Sequence, residues 1–204
     1  MAHYTVILDA CVMYPAPLRS FLLYLAQTGL FRARFTNKIH DEWINNLLKN
    51  RPDLSFEKLS RTRTLINAHM PDCLIEGFEP FVESLDLPDP KDRHVLAAAV
   101  KGQAEGIITF NLKDFPNDVL SPLGVVAIHP DVFLCDMLEL DTAAVLLAAQ
   151  NHRRSLKNPP MDAHSYLDVL QKQNLRNFTA RLKKLTLFAC SGPIRSPISV
   201  QSDH

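Results

Sequence analysis

Three acids in this 204-residue chain have the type and spacing to do chemistry together: Asp9, Glu42 and Asp92. Asp9 closes the apolar run Tyr4-Thr5-Val6-Ile7-Leu8, Glu42 sits in a helical stretch, and Asp92 opens another helix. If those elements stack as one parallel sheet covered by helices, the carboxylates converge at the carboxyl edge of the sheet, where open α/β folds bind ligands. Such a cluster repels itself unless a cation sits in it, and hard oxygen ligands favour Mg²⁺ or Mn²⁺. Each acid also has a plainer reading. Asp9 can cap the next turn, Glu42 can be a solvated residue on a polar helix face, and Asp89-Pro90-Lys91-Asp92 is a helix start in which Asp89 caps and Asp92 faces the positive end of the dipole.

The elements that must position them are legible in the pattern. The order β, α, β, α, α, β, α, β, β followed by helices argues for an α/β fold with a parallel sheet sandwiched by helices. Strands are expected at residues 4–8, 32–36, 73–78, 106–110 and 125–129. Helices are expected at 18–27, with Gly29 as the stop, and at 38–49, 55–69, 80–85 and from Asp92 onward, where Val95 to Val100 is small and apolar. After Pro130 the pattern is helical only: 131–140, 142–157, and one long helix from Ala163 to Leu187. The apolar face of that last helix needs a partner, either the core, a second copy or another protein. We divide the chain into an α/β domain over 1–138, a helical region over 139–190, and a loose Ser- and Pro-rich tail over 191–204.

Composition excludes several classes. With 47% apolar and 22% charged residues, the chain is an ordinary globular protein. Its apolar runs are far short of a membrane span, and the amino terminus lacks a secretory signal, which makes the cytoplasm the expected compartment. Cys11, Cys73, Cys135 and Cys190 are scattered without metal-binding spacing and read as reduced, mostly buried thiols. Net charge is zero but uneven: residues 1–71 hold nine Lys/Arg and five Asp/Glu, residues 72–141 four and fourteen, and residues 142–204 nine and three. An acidic middle between basic flanks suits a metal site beside surfaces that attract a polyanion. His40 and His94 each lie two residues from an acid, so they point well around the helix from it and read as surface or packing residues. Trp43, at helical spacing with Ile39 and Leu47, reads as core.

The succession VILDACVMYP, IHDEWINNLL, DPKDRHVLAAAVKGQAEGIITFNLKDFP and VVAIHPDVFL resembles a PIN-domain ribonuclease, in particular the VapC-type toxin branch with an added helical carboxyl-terminal region. The resemblance implies that Asp9, Glu42 and Asp92 are the metal-holding acids, with Asp89 helping the site or only capping its helix. It implies that Thr109 opens the strand-end motif, whose usual further acid is replaced here by Asn111, and that Thr109 and Asn111 position water, backbone or substrate; Asp114 is then the alternative acid. One or two metals remain open. Arg19, Lys38, Arg93 and Lys113 are the candidates to meet RNA phosphate. The implied activity is Mg²⁺- or Mn²⁺-dependent RNA hydrolysis leaving a 3′-hydroxyl and a 5′-phosphate, with a cognate antitoxin as partner and a homodimer as a further possibility.

Other readings fail at named residues. A haloacid-dehalogenase-like phosphatase needs a second Asp where Cys11 stands, and a response-regulator receiver needs an Asp after its third strand, where Gly77-Phe78-Glu79-Pro80 runs instead. No helix-turn-helix with a basic recognition helix stands out. The rival is a catalytically impaired PIN module that binds RNA or protein, with Asn111 as its mark.

Overall fold

The computed structural model describes residues 4–70, 72–157 and 159–189, apart from the side chains of residues 186–189. In chain order the elements are β1 (Thr5–Leu8), α1 (Ala10–Met13), α2 (Ala16–Ala26), β2 (Arg32–Arg34), α3 (Asn37–Asn50), α4 (Phe56–His69), α5 (Glu79–Val82), α6 (Arg93–Lys101), β3 (Gly106–Ile108), α7 (Asn117–Leu120), β4 (Val126–Ile128), α8 (Pro130–Leu140), α9 (Thr142–Ser155), α10 (Ala163–Gln171) and α11 (Arg176–Ala189).

The four strands form one fully parallel sheet in the order β2-β1-β3-β4. Val6, Ile7 and Leu8 are completely buried, so the central strand is covered on both faces, as a continuous β-branched run requires. Helix α6 packs on β1 and β3. Its Ala97, Ala98 and Ala99 are fully buried, and their small side chains let the helix lie close to the sheet. Thr36 and Ser55 cap α3 and α4 by accepting the N–H groups of Ile39 and Lys58. Helix α2 ends three residues before Gly29, whose φ of +82° takes the chain out of the helix at no steric cost.

The helical segments after Pro130 are not an appendage. Helix α9 lies along α2, and its His152 stacks near Phe21 and Tyr24. Helices α8 and α11 pair, and Phe178 and Leu182 of α11 are buried in the same core as the sheet. The partner of that apolar face is therefore the chain's own core. Asp131, near the start of α8, is almost wholly buried, and its carboxylate accepts from the backbone N–H groups of Asn177 and Phe178 and from Nδ2 of Asn177, at 2.8–3.0 Å. One side chain thus satisfies two of the free backbone donors in the first turn of α11.

Two expected elements differ. The segment 73–78 is not a strand: only Leu74 bridges to Phe35, through two backbone hydrogen bonds, before Gly77 turns the chain away at φ +68°. The single helix expected over 163–187 is two, because Asn174 adopts φ +59° and Leu175 drops into the core between them. Helices α1 and α7 were not foreseen. The tail over 191–204 and Cys190 lie outside the described residues. Among the described residues no helix is long and apolar enough to cross a membrane.

Candidate active site

Asp9 is held at the end of β1 by its own backbone and by its neighbours. Its N–H donates to the carbonyl of Ile108 on β3, which locks it to the edge of the sheet. Its Oδ1 accepts from the N–H of Ala10 at 2.6 Å, and its Oδ2 accepts from Thr109 Oγ1 at 2.7 Å and from Cys11 Sγ at 3.1 Å. The capping role foreseen for Asp9 is real, and the carboxylate still lines a pocket at the carboxyl edge of the sheet.

That pocket, about 470 Å³, brings Asp9, Glu42, Asp89, Asp92 and Asn111 together, with Lys91 as the one cation in its lining. Asp92 ends a 3-10 turn (Pro90–Asp92) opened by Asp89, whose Oδ1 accepts from the N–H of Lys91. Asp89 therefore caps its helix and faces the pocket at once. Burial, with Asp9, Asp89 and Asp114 nearby, pushes the Asp92 carboxyl up to about 6, against a small opposing effect of His94. Asp114 acts on Asp92 by charge, while Asn111 takes the place in the pocket lining. A larger cavity, about 580 Å³, lies elsewhere against β2 and is lined by Arg32, Arg34, His69 and Asp72. It lacks the acid cluster, so size does not choose the site.

The neighbours expected to touch substrate divide sharply. Thr109 is completely buried; it cannot meet RNA, and it orients Asp9 while accepting the N–H of Asn111. Arg19 is also buried rather than free to bind phosphate. Its guanidinium stacks 4.4 Å from the centre of the Trp43 ring and donates to the carbonyls of Met13 and Tyr14. Lys38 lines a separate cavity with Glu76 and Glu79, and Arg93 is paired with Asp86 at 2.7 Å. Lys113 is exposed beside Asn111. Trp43 is core, as expected, and its Nε1 donates to Nδ1 of the buried His40. Burial pushes the Cys11 thiol up to about 12, which leaves it a protonated donor to Asp9 and not a nucleophile.

Four pocket residues were missed: Tyr14, Asn46, Asn50 and Lys91. Asn46 and Asn50 stand one and two helical turns after Glu42, so the i, i+4, i+8 spacing carried their signal. His94 was read as a surface or packing residue, and the surface alternative falls. It is almost wholly buried, and its Nε2 lies 2.8 Å from Glu42 Oε1.

The donors are chiefly hard oxygens, four carboxylates and the amides of Asn46, Asn50 and Asn111, in an open pocket that Cys11 and Tyr14 also line. Among the described residues no three Asp, Glu, His or Cys side chains are drawn together tightly enough to enclose an ion alone. That arrangement fits a divalent cation that keeps several of its waters and takes only a few protein ligands.

Comparison with known families agrees with this architecture. Residues 5–113 match the PIN domain model and residues 130–184 match the VapC50 C-terminal domain. The chain belongs to the PIN-domain family. It is also similar to a protein of Mycobacterium tuberculosis named as a ribonuclease, VapC50, with 47% identity over 98 residues that cover 47% of this chain and 56% of that relative. The match thus spans little more than half of the relative's length. No solved structure matches the chain.

Proposed function

We propose that the protein is a metal-dependent endoribonuclease, the toxin of a type II toxin–antitoxin pair, with Asp9, Glu42 and Asp92 as its metal-holding acids. The observation that supports this most is the convergence of Asp9, Glu42, Asp89 and Asp92 in one pocket at the sheet edge of a PIN fold, with Lys91 as the single cation in its lining. Burial first, and then the neighbouring acids, raise the Asp92 carboxyl there, as at a site that gathers negative charge for a cation.

A bound Mg²⁺ or Mn²⁺ supplies there a water of lowered pKa and a counter-charge for the phosphodiester. The chain's own residues do the rest. Thr109, Cys11 and the Ala10 N–H fix both oxygens of Asp9, so the carboxylate presents one orientation. Glu42 enters from α3 across the pocket, and the Asn111 amide, exposed at its rim, orients water without adding charge. Lys113 stays a candidate to meet phosphate, and Lys91 takes the place of Arg19, Lys38 and Arg93. Hydrolysis at this site leaves a 3′-hydroxyl and a 5′-phosphate.

The nuclease unit spans 1–138 and the helical region 139–190, and a cognate antitoxin would act by covering the acidic pocket. The substitution at Asn111 favours a second reading, an impaired module that binds RNA without cutting it. Single-stranded RNA incubated with the purified protein and Mn²⁺ separates the two: fragments with 5′-phosphate ends support the nuclease, and intact but retarded RNA supports the binding module.

A further inference from the structure

We propose that His94 is a positioning residue that holds Glu42 in its place in the acid pocket. The inference rests on the reading of that pocket as a cation site. His94 is 1% exposed, yet among the described residues neither of its ring nitrogens makes an aligned hydrogen bond. Leaving an imidazole buried without such bonds is costly. Its Nε2 lies 2.8 Å from Oε1 of Glu42, whose side chain is 34% exposed and lines the acid pocket, while His94 also borders the separate cavity lined by Lys38, Glu76 and Glu79.

The two residues come from different layers of the chain, α3 and α6, and α6 is also the helix that Asp92 opens. His94 therefore ties the second acid to the helix that carries the third. A Glu side chain has three rotatable bonds and, at mid-helix and partly exposed, would otherwise sample several rotamers. The contact selects the one that faces the pocket. Outer residues that orient metal-binding carboxylates and imidazoles affect affinity by about 10–100-fold.

The test compares His94→Leu, which keeps buried volume and removes both nitrogens, with His94→Gln, whose amide nitrogen stands near the position of Nε2. The readouts are the Mn²⁺ concentration that half-saturates the thermal shift and the kcat and KM for a short RNA. His94→Leu should raise the Mn²⁺ midpoint and lower kcat at subsaturating Mn²⁺ by about tenfold with KM for RNA little changed, and His94→Gln should restore most of both. In a Glu42→Gln background His94→Leu should have no further effect on the midpoint. A folded His94→Leu with the wild-type midpoint, or one whose effect persists undiminished in Glu42→Gln, overturns the proposal and makes His94 a packing residue. Should His94→Leu not fold, Gln and Asn at this position decide: a wild-type midpoint in Gln and a raised one in Asn support the proposal, and equal midpoints overturn it. If wild type itself shows no Mn²⁺ shift, the cation reading of the pocket has failed; if wild type shifts, Asp9→Asn does not, and His94→Leu behaves as wild type, only the role of His94 has failed.

Discussion

Two aspartates of this chain are withdrawn from water under opposite conditions. Asp131 is buried at the junction of α8 and α11 and accepts three N–H donors. Asp92 is half-buried at the sheet edge, makes no side-chain capping bond, and faces Asp9, Asp89 and Asp114. The first is satisfied by the fold. The second is raised by burial and by a predominance of like charge, which His94 offsets only in small part. Burial of a carboxylate alone therefore says little; the sign of what surrounds it separates an acid that the fold satisfies from one that is a candidate for chemistry.

The largest expected effect lies on the chemical side. Asp9→Asn keeps shape and removes charge, so RNA cleavage should fall by at least about 10³-fold with the melting temperature little lowered. Cleavage rates measured beside circular dichroism melts check this, and undiminished turnover would remove Asp9 from the site.

On the structural side, Asp131→Ala leaves the first N–H groups of α11 buried without an acceptor. It should cost about 2–3 kcal/mol of unfolding free energy while the per-molecule cleavage rate of the folded protein changes little. Urea titration reads this directly, and a loss below about 0.5 kcal/mol would mean that α11 is held by its apolar face alone.

Asp92 should show the reverse sign. Because its folded carboxyl is raised to about 6, the protonated form favours the fold, and that contribution is lost as pH rises from the unfolded value near 3.9 through 6. Without divalent cation, Asp92→Asn should equal wild type in stability below pH 4 and exceed it above pH 6 by about 1 kcal/mol, a figure reduced for solvent screening at a half-exposed group. Melts of both proteins across pH 3.5 to 7 would show the divergence, and parallel curves would mean that neither burial nor the neighbouring acids raise the Asp92 carboxyl.

The smallest effect concerns the exposed Arg181–Glu139 pair, which also joins α11 to α8. Glu139→Gln should change stability by less than about 0.5 kcal/mol, since exposed pairs are screened. A larger loss would shift credit for the junction away from Asp131.

What the sequence disclosed follows from the same contrast. Strand β1 with Asp9 at its end, the turn that brings Asp89 and Asp92 forward, and the helix carrying Glu42 were legible because each is written in local periodicity and capping. The long-range partners were not. Arg19 looked like a free cation because its stacking on Trp43 is a tertiary event, and Thr109 looked available to substrate because its complete burial depends on β1 and β3 pairing. His94 was set aside on helical angle relative to Asp92, yet its partner is Glu42, on another helix. The capping of α11 by Asp131 spans 46 residues and leaves no local trace. The break at Asn174 was the nearest to legible, since Asn tolerates the left-handed conformation better than other non-glycine residues.

The central claim is that the carboxylates around Asp92 repel one another until a divalent cation joins them, and calorimetric titration of Mn²⁺ into wild type, Asp9→Asn and Asp131→Asn tests it most directly. The account predicts binding to wild type and to folded Asp131→Asn with similar affinity, and affinity at least about tenfold weaker in Asp9→Asn. Equal affinity in wild type and Asp9→Asn, or no binding to wild type at millimolar Mn²⁺, would contradict it.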